Sequence, residues 1–243
     1  MNVKILRRAS SRRRERLSGQ ELLEFGLMLT LLMPLLVGSF VTGFTIVRGI
    51  QTNSMTRDMA DMYIHGADFS TYPMQQIVAQ RLAKGLNLVI GASFNNNVQS
   101  NTGNAGDGLV TVTQVMYIGP TSSGNCQSVG AANCTNHDKF VFTERIQFGN
   151  GTLVSQTPSF LGNPGGSATI TSAGVVQNYV TDSNAALSAT ANAAMVALWQ
   201  VNTGGRIPLV DGQIVYGVES YIQAINLNLG NFKATGTYSR YFF

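Results

Sequence analysis

The stretch 19-GQELLEFGLMLTLLMPLLVGSFVTGFTIVR-48 holds two glutamates, then an uncharged run from Phe25 to Val47, then Arg48. A helix over that run rises about 35 Å, enough to cross roughly 30 Å of hydrocarbon with some tilt. A signal-peptide core is shorter, about 7–15 apolar residues, and ends in a small-x-small cleavage site that this run lacks. Residues 20–48 are therefore expected to form a transmembrane helix in contact with lipid. Carboxylates are costly beside hydrocarbon, so Glu21 and Glu24 ask for a purpose.

Upstream of the run, residues 1–19 carry Lys4 and six arginines against Glu15 alone, a net charge of +6. The rest of the chain, 20–243, holds nine basic and eleven acidic side chains, a net −2. The basic end should stay cytoplasmic, which sends residues 49–243 across the membrane. The bulk of the chain is thus no nucleic-acid binder by charge, and a basic arm that runs straight into apolar sequence is a poor RNA-binding tail. Arg12-Arg13 invites a twin-arginine export reading, but the usual aromatic after the pair is missing. Charged residues make up 12% of the chain, a composition that favours exported, loop-rich β proteins. Cys126 and Cys134 lie eight apart; in an oxidising compartment they could close a small loop, and in the cytosol they would stay reduced.

Downstream, the helical period persists through an extension at 49–70. Met55, Met59, Met62 and Tyr63 recur at i, i+4, i+7 and i+8, the spacing of a packing face rather than a metal box. A short helix is expected from Pro73, a good first-turn residue, to Leu82. Residues 91–108 are a Gly/Asn-rich loop; Asp107 alone does not make a calcium site there. Three segments alternate as strands buried on one side. In 109–118 the apolar positions are Val110, Val112, Met116 and Ile118. In 139–148 Phe140, Phe142, Ile146 and Phe148 share a face, opposite Lys139, Arg145 and Gln147. In 213–222 the face is Ile214, Tyr216, Val218 and Ile222. Asn150-Gly151 signals a two-residue hairpin, Asp211-Gly212 opens the third strand, and a last strand lies in 232–242. Residues 183–201 should pack on the sheet as a helix capped by Ser183. The expected architecture for 71–243 is α+β, an antiparallel sheet with packed helices after a long N-terminal helix.

Chemistry is sparse in this sequence. There is no Walker loop, Gly-x-Ser-x-Gly, His-Glu-x-x-His or Cys-x-x-Cys. His65 and His137 are far apart in sequence and neither has an acid cluster beside it, which argues against a metal site. Glu144 and Glu219, lone strand acids on opposite faces, fit salt bridges better than a glycosidase pair. The expectation is a non-enzyme without cofactor or metal.

A basic leader, Gly19, four residues, Glu24, Phe25 and then an apolar helix resembles a type IV prepilin signal. More closely, "GQELLEFGLMLTLLMPLL" resembles the TadE-like pseudopilins of tight-adherence (Flp) pilus systems, a match that covers the N-terminal segment and includes Pro34. Glu21 departs from the small residue usual at that place, and "DGQIVYGVES" (211–220) is similar to an acid-containing strand late in such chains. The resemblance implies that a prepilin peptidase cuts between Gly19 and Gln20, removing a leader of residues 1–19. It implies partners among other pilin subunits and the assembly platform, and a single-pass place in a bacterial inner membrane or, later, in an extracellular pilus. Cleavage would create an α-amino group on Gln20, mostly protonated at neutral pH. Glu24, one turn along, could pair with that amine on its own chain or a neighbour's. Pro34 removes a helix hydrogen bond and should loosen the helix near Thr30. Two rivals are an uncleaved, membrane-anchored periplasmic binding or adhesion domain and an anchored hydrolase.

Overall fold

A computed structural model describes residues 3–90, 101–103, 105–155, 159–203, 208–224 and 236–243. The chain divides into two units, one comprising α1 as far as Ile46 and the other a domain beginning at Val47. Helix α1 (Val3–Ile64) is unbroken through the Gly19–Gln20 bond and through Pro34. It ends short of the expected extension to residue 70 because Gly66 takes a left-handed conformation (φ +86°). The Gly66 amide then bonds Tyr63 O (3.0 Å) and the Ala67 amide Met62 O (2.9 Å), a glycine-terminated C-cap. Helix α2 (Tyr72–Ile77) carries proline in its first turn, as expected, and continues as a π-helical turn over Val78–Leu82.

The domain is α+β. Among the described residues, β1 (Asn101–Gly103), β2 (Gly108–Ile118), β3 (Lys139–Asn150), β4 (Ile214–Ile222) and β5 (Thr237–Phe242) form a sheet in the order β1-β3-β2-β4-β5, with β2 at the centre. It pairs antiparallel with β3 and β4, and β4 pairs antiparallel with β5. The short β1 runs parallel to β3, inside a stretch expected to be loop. The rest of that expected loop, 91–100, lies outside the described residues, as does the start of the strand expected at 232–242.

The sheet is covered on both faces, not one. On the first face the domain's part of α1 sets Met55, Met59, Ala60 and Tyr63 against Val110, Val112, Ile146, Phe148, Val218 and Ile222. The methionine stripe is thus a packing face, and each of its fully buried side chains contributes roughly 1.5–3 kcal/mol. Tyr63 also meets the Tyr216 ring edge-on at 5.0 Å and donates its hydroxyl to Glu144. Arg48, the first charge after the apolar run, donates to Gln223 O (2.8 Å). On the second face α4 (Ala189–Thr203) lays Ala191 and Met195 over Val115, Phe140, Phe142 and Val215.

A β-bulge explains why Phe140 and Phe142 sit opposite Ile146 and Phe148 rather than beside them. Register runs Gln114↔Glu144 and then Val115↔Phe142, which leaves Thr143 as an extra residue and inverts the face of the strand beyond it. The freed backbone groups are taken by a neighbouring segment: the Val176 amide bonds Thr143 O (2.9 Å) and the Arg145 amide bonds Gly174 O (2.8 Å). Gly174 is required there. Its φ is +80°, and a Cβ would stand 2.8 Å from Arg145 O.

Two local expectations are corrected. Asn150-Gly151 makes no hairpin: Asn150 Oδ1 accepts from the Thr152 amide (3.0 Å) and starts a 3-10 turn over Gly151–Ser155. Ser183 does not cap the helix; it lies in a separate 3-10 turn capped by Asp182, and Ser188 Oγ accepts from Ala191 N (3.2 Å) at the start of α4. Asp211-Gly212 does precede β4, with Gly212 at φ +81°.

Candidate functional site

Gly19, Gln20, Glu21 and Glu24 are all exposed on α1. So are Phe25 and most large apolar side chains from Leu22 to Ile50, at between 47% and 73%. Leu29 and Val37 are half-buried, and Val41 is buried. The best 18-residue window has a mean hydropathy of 2.0 and is 6% buried, so this helix is long and apolar enough to cross a membrane. Its hydroxyls are turned inward on the helix. Thr30 donates to Leu27 O, Ser39 to Leu36 O and Thr42 to Gly38 O (each 2.8 Å), and Thr45 to Val41 O (2.9 Å). None of these four hydroxyls is left asking for water, which suits a hydrocarbon surround. A Cβ on Gly19 would meet nothing within 4 Å, so packing within the chain gives no reason for glycine there.

Cys126 and Cys134 form a disulfide with Cα atoms 5.1 Å apart. Cys126 lies on α3 (Gly124–Val129). The small loop that the bridge closes is packed on the sheet, although the sequence around it is polar. Both cysteines are buried with Met116, Ile118, Val141 and Val180, against the central strand. Asp211 pins the same segment: it accepts from the Gly119 amide (2.7 Å), the Asn125 amide (2.9 Å) and the Asn125 side chain (3.0 Å). Burial alone would push its carboxyl up, but those amides hold it below the usual range.

The second face of the sheet holds a site that sequence reading missed. Arg145 and Glu219 are 1% and 3% exposed and face each other at 3.8 Å. Arg145 also donates to Thr113 Oγ1 and to Asn163 Oδ1 (2.8 Å). Glu219 accepts from the Ser159 hydroxyl, the Tyr238 hydroxyl and the Phe160 amide (2.7 Å), so its carboxylate is fully engaged. Burial draws the guanidinium down to about 10, Glu219 pushes back, and it stays charged at neutral pH. Burial and the facing carboxylate raise the Tyr238 phenol, which stays neutral. Beside the pair lies a cavity of about 110 Å³, lined among others by Thr111, Gln147, Ser159, Asn163, Glu219 and Tyr238. The polar alternation of each strand was visible in the sequence. Its convergence was not, because Arg145 on β3 and Glu219 on β4 meet only across β2.

Glu144, on the opposite face, touches none of this. Burial raises its carboxyl, the Tyr63 hydroxyl lowers it and Asp68 adds to the rise, for a net upward shift. His65 bonds Asp61 O (2.7 Å), and His137 bonds the neighbouring Asp138 (3.1 Å). Among the described residues no three His, Cys, Asp or Glu side chains gather as a metal would need. No family model matches this chain, and no curated protein or solved structure matches it significantly.

Proposed function

We propose that this chain is a pseudopilin, a minor subunit that assembles or caps a type IV pilus of the tight-adherence kind. It waits in the bacterial inner membrane with its basic end cytoplasmic and its sheet domain periplasmic. A prepilin peptidase removes residues 1–19, and the long helix then enters the filament or its platform. The observation that carries this reading is a bare apolar helix headed by Gly19-Gln20 and Glu24 and continuous with the packing face of a folded domain. A bystander carboxylate needs no glycine five places before it. Open space around a Cβ is not peculiar to Gly19, since Gly26 and Gly43 have it too; its spacing from Glu24 is.

Glu24 has a task only where an amine is offered, on its own chain or by an incoming neighbour. Glu24→Ala is therefore expected to be cut and inserted normally, yet to be lost from sheared filaments and from the isolated assembly platform. Incorporation at the wild-type level would reduce Glu24 to an interfacial side chain and contradict the proposed role. The uncleaved binding domain remains the second reading, and the polar cavity in the sheet domain favours it.

A further inference from the structure

Strand β5 is one edge of the described sheet, and its pairing with β4 runs without a bulge from Thr237 to Phe242. Tyr216 and Phe243 exchange both backbone bonds (2.9 Å each), which sets the alternation: Thr237, Ser239 and Tyr241 bond inward to β4. The N–H and C=O groups of Tyr238, Arg240 and Phe242 therefore point out of the sheet. That edge faces solvent: Tyr238 is 37% and Phe243 53% exposed, and Arg240 is exposed as well. The side chains of the three outward residues lean back over the sheet and leave the edge clear. Tyr238 donates to Glu219, the Arg240 guanidinium lies over the Phe160 ring at 4.0 Å, and Phe242 lies on Gly217, where a Cβ would stand 2.8 Å from its ring. Sheet edges are commonly guarded by proline, a bulge or several charges; β5 has Arg240 alone.

We propose that β5 is a docking edge for an extended segment of another protein, which adds to the sheet antiparallel to β5. Main-chain bonds to Tyr238, Arg240 and Phe242 hold it. Two features define its side chains. Opposite Arg240 it carries a carboxylate: Glu219, the cross-strand neighbour of Arg240, is engaged by Arg145, Ser159 and Tyr238, and among the described residues no carboxylate pairs with Arg240. Two places along, opposite Phe242, it carries a large apolar side chain. There a groove of about 260 Å³ runs between Arg240, Phe242 and Phe243 on one side and Met195, Leu198 and Trp199 of α4 on the other. A second copy of this chain fits less well, because a twofold pairing that uses all three outward residues sets Arg240 opposite Arg240. The edge belongs to the sheet domain and does not depend on whether the leader is cut.

The test uses the full chain in zwitterionic detergent at low salt, with the peptide acetyl-TLTETLT-amide, whose Leu, Glu and Leu side chains share one face. Saturable binding with a Kd below about 1 mM is expected, and it should slow amide hydrogen exchange in 237–243. N-methylating the Leu and Glu nitrogens, which face β5 in the antiparallel pairing, should abolish binding. Replacing the peptide's Glu by Gln should weaken it about threefold, and Arg240→Gln should erase that difference. An unchanged melting temperature would establish that Arg240→Gln is folded, and the peptide changes test the edge on the wild-type chain alone. No saturable binding up to about 1 mM, binding that survives N-methylation, or a preference for Glu that persists in folded Arg240→Gln overturns the proposal.

Discussion

At the scale of single residues, Glu144 shows how a core position acquires pH dependence. Its carboxyl sits between sheet and helix, takes the Tyr63 hydroxyl and is raised, chiefly by burial, above its ordinary 4.5. The folded state therefore holds a proton that the unfolded state releases earlier. The stabilisation it gives is complete below the unfolded value and is lost as pH rises through the folded one. Glu144→Gln keeps an acceptor for Tyr63 and cannot titrate. Urea unfolding across that window should show wild-type stability falling with pH while the variant lacks this component; identical slopes would contradict the assignment. Gly174 is the second such position. A side chain there needs a strained left-handed backbone and meets Arg145 O and the Ile146 side chain. Gly174→Ala should cost about 2–3 kcal/mol, read as a lower denaturation midpoint at constant slope. A loss under about 0.5 kcal/mol, the range of an ordinary surface substitution, would mean that the bulge is held some other way.

At the scale of elements, much was legible, for identifiable reasons. The α1 packing face was visible because Met55, Met59 and Tyr63 recur at the helical period. The strands β2, β3 and β4 were visible because alternation marks half of each. What alternation cannot reveal is an extra residue: Thr143 inverts β3 because the segment around Gly174–Val176 pairs with the bulge, a contact far along the chain. The Arg145–Glu219 pair was hidden for a related reason, since only the strand order brings those residues across β2. Asn150 misled because Asn-Gly suits both a tight hairpin and an Asn-initiated helical turn, and the choice depends on which strand lies beside β3. The disulfide belongs to this scale too. Closing about nine residues is worth roughly 2–3 kcal/mol, and the bridge fills space against Met116 and Ile118. Reduction should lower the melting temperature by about 5–10 °C and leave the far-ultraviolet dichroism of the native state unchanged. Two thiols that alkylate without reductant would show that the bridge does not form in the cell.

At the scale of the whole molecule, two units share one helix. As far as Ile46, α1 shows apolar side chains with little cover from the described residues; from Val47 onward the same helix sets Met55, Met59, Ala60 and Tyr63 into the core on one face of the sheet. That continuity is what a subunit needs if it is to be stored in lipid and then drawn into a filament by its helix, with the domain carried along. The helix and the disulfide-bearing domain are properties of the chain itself, whereas the pilus belongs to the resemblance in residues 19–36, and the two are joined by the bond between Gly19 and Gln20. The first residue of the chain recovered from membranes of cells with an active prepilin peptidase decides the matter. N-terminal sequencing, supported by intact mass, should find Gln20 and the loss of residues 1–19 with their six net positive charges. A chain that still begins at Met1 or Asn2 in those cells would contradict the pilin account.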